Sequence, residues 1–277
     1  MRRRRAVPPT LVAGIVLVGL VVVSALLSFL WTPHDPTRVD VGRQFLGPGA
    51  PGYLLGTDQL GRDELSELMA GARVTLLVGI VTVALATVIG VPLGGAAVLW
   101  RPVEELVMRM SDIVLAFPAL LLAMLFAAAF RSSTVTAMVA IGISFVPVFA
   151  RLVRAAGLQI MEQDYVTVSR TFGARSLWIF VRHLLPNVLS VIIVQGTIAF
   201  ALAILAEAAL SYLGLGTPPP TPSWGRMLSE SQSYFAQAPL IAVWPGVSIA
   251  LSVLGFNLLG DGLRDLLDPR LVERVAA

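Results

Sequence analysis

The sequence predicts an all-α, polytopic membrane fold, and three observations carry that prediction. Of the 277 residues 56% are hydrophobic and 13% charged, with a mean hydropathy of +0.82, whereas a water-soluble domain carries about 25% charged residues. The apolar residues gather into six long runs, each able, at about 1.5 Å per helical residue, to cross a hydrocarbon core about 30 Å thick. Arginine is also shared unevenly between the segments that join those runs, as the positive-inside rule requires of a topology.

Residues 1–10 hold Arg2, Arg3, Arg4 and Arg5 ahead of an uncharged run at residues 11–31. A secretory signal peptide has the same layout. This run is longer than an ordinary signal core and no small-x-small cleavage site follows it, so a retained first span is expected, with its N-terminus in the cytoplasm. Residues 32–73 turn polar and rich in Pro and Gly and are expected outside. Their end, residues 63–72, is expected to form a short surface helix with Leu65, Leu68 and Met69 on one side.

A membrane core is expected at residues 74–262. Its spans are residues 74–99, 107–130, 134–153, 188–210 and 241–262, with a cytoplasmic loop at 154–187 and an outer loop at 211–240. Residues 263–277 form a cytoplasmic C-terminus, since six crossings return both ends to one side. The outer segments hold Arg38, Arg43, Arg62, Arg73, Arg131 and Arg226, and the inner ones hold the other fourteen of the 20 basic residues, none of which is lysine. That asymmetry supports the orientation.

Within the spans, Gly79, Gly90 and Gly94 fall near one another on a helical wheel. Gly90-x-x-x-Gly94 is either a close-packing site for another helix or the ordinary glycine content of membrane helices. Ionisable groups are few: Asp112, Glu207 and Asp261. For Asp112 and Glu207 two readings stand, pairing near the interface or lining a water-filled path.

Several classes of chemistry are excluded. There is no Cys, hence neither a disulfide nor a thiolate metal site, and two histidines, His34 and His183, leave no histidine metal centre. The phosphate loop G-x-x-x-x-G-K-[ST] is missing, and a chain without lysine has no phosphate-gripping lysine to offer. No cofactor, metal or nucleic acid is therefore expected on this chain, and it is not expected to be an enzyme. ATP-driven transport requires a separate ATPase. An ion-gradient carrier acting alone is the alternative, but no repeated pair of interrupted helices and no relay of intramembrane carboxylates supports it.

A motor elsewhere needs a rigid cytoplasmic element to push on. Residues 164–187, DYVTVSRTFGARSLWIFVRHLLPN, fit that demand. Tyr165, Val168 and Phe172 share one helical face, and the pattern restarts after Gly173 with Leu177, Val181 and Leu184, so two short helices meeting at a glycine are expected. Arg170, Arg175 and Arg182 suit either the acidic groups of an ATPase or lipid headgroups.

The same stretch resembles the coupling loop of ABC-importer permeases, E-A-A-x-x-x-G followed nine residues later by I-x-L-P. Gly173 matches the glycine, Leu185 and Pro186 match Leu-Pro, His183 takes the Ile position, and Thr167, Val168 and Ser169 replace Glu-Ala-Ala. LGTDQLGRD at residues 55–63 is similar to the L-G-T-D-x-x-G-R-D segment of C-type permeases from dipeptide, oligopeptide and nickel importers. EAALSYLGLG at 207–216, PSWG at 222–225, MRMSDIVLAFPALLLA at 108–123 and the ending GDGLRDLLDPR also agree with that family.

The resemblance implies a bacterial inner-membrane permease paired with a second, related permease. It further implies one or two ATPase subunits that hold ATP and Mg, and an extracytoplasmic substrate-binding protein. It gives the coupling role to Asp164, Tyr165, Thr167, Ser169, Arg170, Gly173, His183, Leu185 and Pro186. Gly173 is expected to make the turn and Pro186 to open the fifth span. Gly56, Thr57, Asp58, Gly61, Arg62 and Asp63 either meet the binding protein or pair among themselves to fold an outer cap. Peptides are the expected cargo, with nickel chelates, glutathione and haem as alternatives.

Overall fold

The computed structural model of the chain describes residues 8–267. The basic tail of Arg2 to Arg5 and the end of GDGLRDLLDPR, with Arg270 and Arg274, lie outside them. The described residues form ten α-helices and no strand. Helix α1, Pro9–Leu30, starts on a proline at a position where its missing N–H harms nothing. It packs along α10, Leu240–Leu267, so closely that a Cβ on Gly262 would lie 2.5 Å from the Leu11 Cα.

Helix α2 is Glu64–Leu99, 36 residues or about 54 Å of rise. The expected separate surface helix at 63–72 is instead its first turns, started by Asp63, whose side chain accepts from the Ser66 N–H. Gly71, the one residue there suited to breaking a helix, is held under the Trp224 indole.

The third apolar run departs most from expectation. It is not one continuous helix over 107–130 but two helices, α3 (Arg101–Leu115) and α4 (Ala119–Phe130), bent by 84°. Pro118 causes the break, since it lacks an N–H and pushes Phe117 out of the α region. Among the described residues five helices are long and apolar enough to cross a membrane, and the bent pair makes a sixth only when counted as one span.

Helix α5, Thr134–Met161, runs eight residues past the expected end at 153. Arg151 and Arg154, which mark that end in the sequence, are paired sideways with Asp112 and Glu104 of α3 instead of facing a loop. The remaining elements are α6 (Asp164–Thr171), α7 (Ser176–Ile179), α8 (Leu185–Tyr212) and α9 (Trp224–Ser231).

The core lies between α2, α5 and α8, around Val78, Ala86, Ile141, Phe149, Val153 and Val188. Gly90 and Gly94 do form a close-packing site. A Cβ on Gly90 would lie 2.7 Å from the Val146 carbonyl oxygen, and one on Gly94 2.4 Å from that of Ala150. Gly79 faces a different neighbour, Phe200 of α8. Gly94→Ala is expected to destabilise the bundle by about 1–3 kcal/mol, because helix backbone cannot step aside as a side-chain tip can. Thermal denaturation in detergent checks this. Gly19→Ala, at a site with nothing within 4 Å, serves as the control, and equal melting of the two variants would refute the prediction.

Candidate functional site

The polar stretch after α5 folds as a helix, a turn and a second helix. At the turn, Gly173 has φ +79, the Gly173 N–H donates to the Arg170 carbonyl at 2.9 Å, and the Ala174 N–H donates to that of Ser169 at 3.1 Å. That pair of bonds is a Schellman cap, which calls for a left-handed residue where Gly173 stands. Nothing lies within 4 Å of where its Cβ would be, so backbone conformation alone requires the glycine.

The second helix is not a separate piece. α7 continues through a π-helical turn, Phe180–Leu184, into α8, making one rod from Ser176 to Tyr212. Pro186 therefore stands in the first turn of α8, but the helix continues upstream of it. The widened turn explains how: the Leu185 N–H reaches back five residues to the Phe180 carbonyl, easing the crowding that a proline ring imposes one turn upstream. The Asn187 side-chain amide donates to the His183 carbonyl at 2.6 Å.

The helix pair presents an apolar surface. Phe172 is 87% exposed and Leu177 68%, with Tyr165, Val168, Trp178 and Val181 also exposed. Val168, Phe172, Gly173, Arg175 and Trp178 border an open depression of about 420 Å³. Arg170, Arg175 and Arg182 are exposed on the same helix pair, Arg175 at the edge of the depression, and none forms an ion pair among the described residues. Asp164, Thr167 and Pro186 are exposed and Leu185 is half-buried. Val166, Ile179 and Leu184 anchor the pair from beneath.

Two departures from the coupling-loop pattern meet each other. Ser169 and His183 lie 3.1 Å apart, oxygen to Nε2, and the His183 ring is flanked by Tyr165 and Trp178. Nothing in the spacing of the sequence singled out Trp178 as a neighbour of His183.

At the opposite end of the bundle, motifs far apart in sequence converge. Thr57 to Asp63 form a tight turn: the Asp58 N–H donates to the Arg62 carbonyl at 3.0 Å and the Gly61 N–H donates to that of Asp58 at 3.2 Å. The Asp58 carboxylate accepts from the N–H groups of Leu60 and Arg62 and from the Arg62 side chain. Gly56 and Gly61 both have positive φ. Thr57, Asp58, Arg62 and Asp63 are buried. Arg62 pairs with Asp58 at 2.5 Å, Glu67 at 2.9 Å and Glu230 at 2.5 Å, so one guanidinium joins the turn to α2 and α9.

Burial opposes the charge on Arg62, but the carboxylates of Glu67, Asp58 and Glu230 outweigh it and raise its pKa above the usual arginine value. Burial likewise pushes Glu230 up, yet the hydrogen bond from Arg226 and the charge of Arg62 bring it below the ordinary glutamate value. The PSWG motif joins the same body. Ser223 caps α9 by accepting from the Arg226 N–H, and Trp224 donates to the Leu68 carbonyl at 3.0 Å. Gly225 touches α8 so closely that a Cβ would lie 2.2 Å from the Ala208 carbonyl oxygen.

Asp112 and Glu207 have opposite settings. Asp112 is exposed and paired with Arg151. Glu207 is 1% exposed and accepts from the Ser211 and Thr217 hydroxyls at 2.6 and 3.4 Å. Among the described residues no group of three or more His, Asp and Glu side chains is arranged to hold a metal ion.

Comparison with known proteins places this geometry. Residues 86–273 match the family model described as the binding-protein-dependent transport system inner membrane component. The di/tripeptide transport system permease protein DppC of Pseudomonas aeruginosa is 42% identical over 265 residues, covering 93% of this chain and 87% of that protein. The glutathione transport system permease protein GsiD of Pectobacterium atrosepticum is 38% identical, covering 94% of this chain and 86% of that one. Among solved structures, an inward-facing MetNI methionine ABC transporter matches with a TM-score of 0.57 at 22% identity, over 76% of this chain and 96% of that one, a likeness of fold. Sequence and fold thus agree, and the chain belongs to the family of binding-protein-dependent transport system inner membrane components.

Proposed function

We propose that the chain is one permease of an ABC importer for di- or oligopeptides. In this reading it works in a bacterial inner membrane, with both termini in the cytoplasm. It forms a heterodimer with a related permease, draws on one or two ATPase subunits that bind ATP and Mg, and receives cargo from an extracytoplasmic binding protein. The observation that carries the reading is the surface of residues 164–187: apolar side chains held outward on a capped turn, with three exposed arginines that form no ion pair among the described residues, and fused by α7 to a membrane-crossing rod. A patch of that kind suits a protein partner, and a push on α7 is transmitted along α8 because no loop intervenes. Asp164, Tyr165, Thr167, Ser169, Arg170, Gly173, His183, Leu185 and Pro186 supply this coupling element.

The burial of Asp58, Arg62 and Asp63 supports a role in folding the outer cap more than direct contact with a binding protein. Peptide cargo is favoured by the identity to the di/tripeptide permease, and glutathione is the runner-up by the same measure. Reconstitution with the ATPase subunits, the second permease and the binding protein tests the proposal. Peptide uptake is expected to need ATP and every partner. Uptake by this chain alone, driven by a proton or sodium gradient, would overturn it.

A further inference from the structure

The LGTDQLGRD turn has a second side. On the face that the arginine distribution assigns to the outside, it closes a small polar pocket of about 160 Å³ between residues 34–43 and the start of α2. Gly61 makes the closure: a Cβ there would lie 1.8 Å from the Asp40 carbonyl oxygen, and its φ is +73. Tyr53 forms a wall, its ring stacked on His34 with centroids 4.6 Å apart, and Arg43 donates to its hydroxyl at 3.0 Å.

At the floor stands Asp63, 2% exposed. Its Oδ2 is taken by the Ser66 N–H at 3.0 Å and the Ser66 hydroxyl at 2.5 Å. Among the described residues its buried Oδ1 has no donor, and the buried Nδ1 of His34, 3.5 Å from Oδ2, has no hydrogen-bond partner either. A buried carboxylate oxygen without a donor is costly, and more so when it carries charge. The helix cap uses only half of the Asp63 carboxylate. At the rim are Arg38 and Arg43, the latter 3.4 Å from the Asp40 carboxylate through its Nε, while Asp35, also at the rim, is turned back onto the N–H and hydroxyl of Thr37.

We infer that this pocket binds a small zwitterion, the ammonium group on Asp63 and His34 and the carboxylate toward Arg38 and Arg43, as presented by a free amino acid or the shortest peptides. The charge pattern sets both ends: acceptors at the buried floor fit an N–H₃⁺ group, and guanidinium groups at the rim fit a carboxylate. The size sets an upper limit, since the space equals about five waters at roughly 30 Å³ each. A bare cation satisfies the floor and leaves the rim unused. The inference rests on the peptide-importer reading only for the relevance of such ligands; the pocket chemistry stands apart from it.

The test uses the full chain in nanodiscs, with glycylglycine as the probe and saturation-transfer NMR as the readout. Saturable binding is expected. N-acetylglycylglycine, which lacks the ammonium, is expected to bind at least tenfold more weakly. Asp63→Asn keeps an oxygen for the Ser66 cap and is expected to lose glycylglycine binding at least tenfold while melting like the wild type. Arg38→Gln is expected to weaken glycylglycine but not glycylglycine amide. The inference fails if no saturable binding occurs, if the acetylated probe binds equally, or if Asp63→Asn changes nothing. Peptide uptake by the assembled transporter, measured in parallel, separates the two ideas: uptake with no pocket binding removes this inference alone, and pocket binding without peptide uptake removes the importer reading alone.

Discussion

Replacing Gly173 with valine is expected to lower ATP-coupled uptake at least tenfold while the amount of chain in the membrane stays unchanged. The turn needs φ near +79, a region that costs a residue bearing a Cβ about 1–2 kcal/mol and a β-branched one more. Among the described residues there is no neighbour for the new side chain to strike, so the effect passes through the backbone. The two cap bonds from the N–H groups of Gly173 and Ala174 open, and α6 loses its fixed direction relative to the rod of α7 and α8. Gly173→Asn, which tolerates the left-handed region, is expected to keep much of the activity, and Gly173→Ala to fall between. The same series read as ATPase stimulation in the assembled complex should follow uptake. Normal coupling in the valine variant would show that the turn geometry is not what the motor grips.

How much of this was legible in the sequence depends on what each feature rests on. Hydropathy located the apolar runs because lipid selects composition directly, but composition carries no direction. The third run reads as an ordinary span although Pro118 turns it through 84°. Charges mislead in a related way: Arg151 and Arg154 mark an interface in the sequence, yet they pair along α3 and let α5 continue to Met161.

At the coupling element the glycine was readable, since few residues occupy such a turn. The fusion of α7 to α8 was not, because Pro186 argues for a helix start and only the π-helical turn before it permits continuity. At the outer end the turn Asp58 to Asp63 was recognisable, whereas Glu230, some 170 residues away and the partner of Arg62 at 2.5 Å, stands in no local pattern. Long-range pairing of this kind follows from the packing of α9 on α2, not from spacing.

That pairing sets the second large expectation. Arg62→Met is expected to destabilise the fold by about 3–5 kcal/mol, the range for removing one partner of a buried ion pair, against at most ~1 kcal/mol for an exposed pair. The arginine side chain is 8% exposed, and those of Asp58 and Glu67 are 4% and 1%, so the acids it leaves behind lie away from water. The difference is expected to appear as a fall in melting temperature on the order of 10 °C for a chain of this size.

Adding Glu67→Gln to Arg62→Met removes one buried carboxyl left without its partner and is expected to recover part of the loss. A network that merely decorates the surface would show neither the drop nor the recovery. The pH dependence has a fixed sign. Glu230 titrates below the ordinary value of 4.5 in the folded chain, so its pairing contributes stability above that pH and loses it as pH falls through the folded value. The gap between wild type and Arg62→Met should therefore narrow in acid. If it widens, the charge on Glu230 does not support the fold, and the joining of turn, α2 and α9 rests on packing around Trp224 instead.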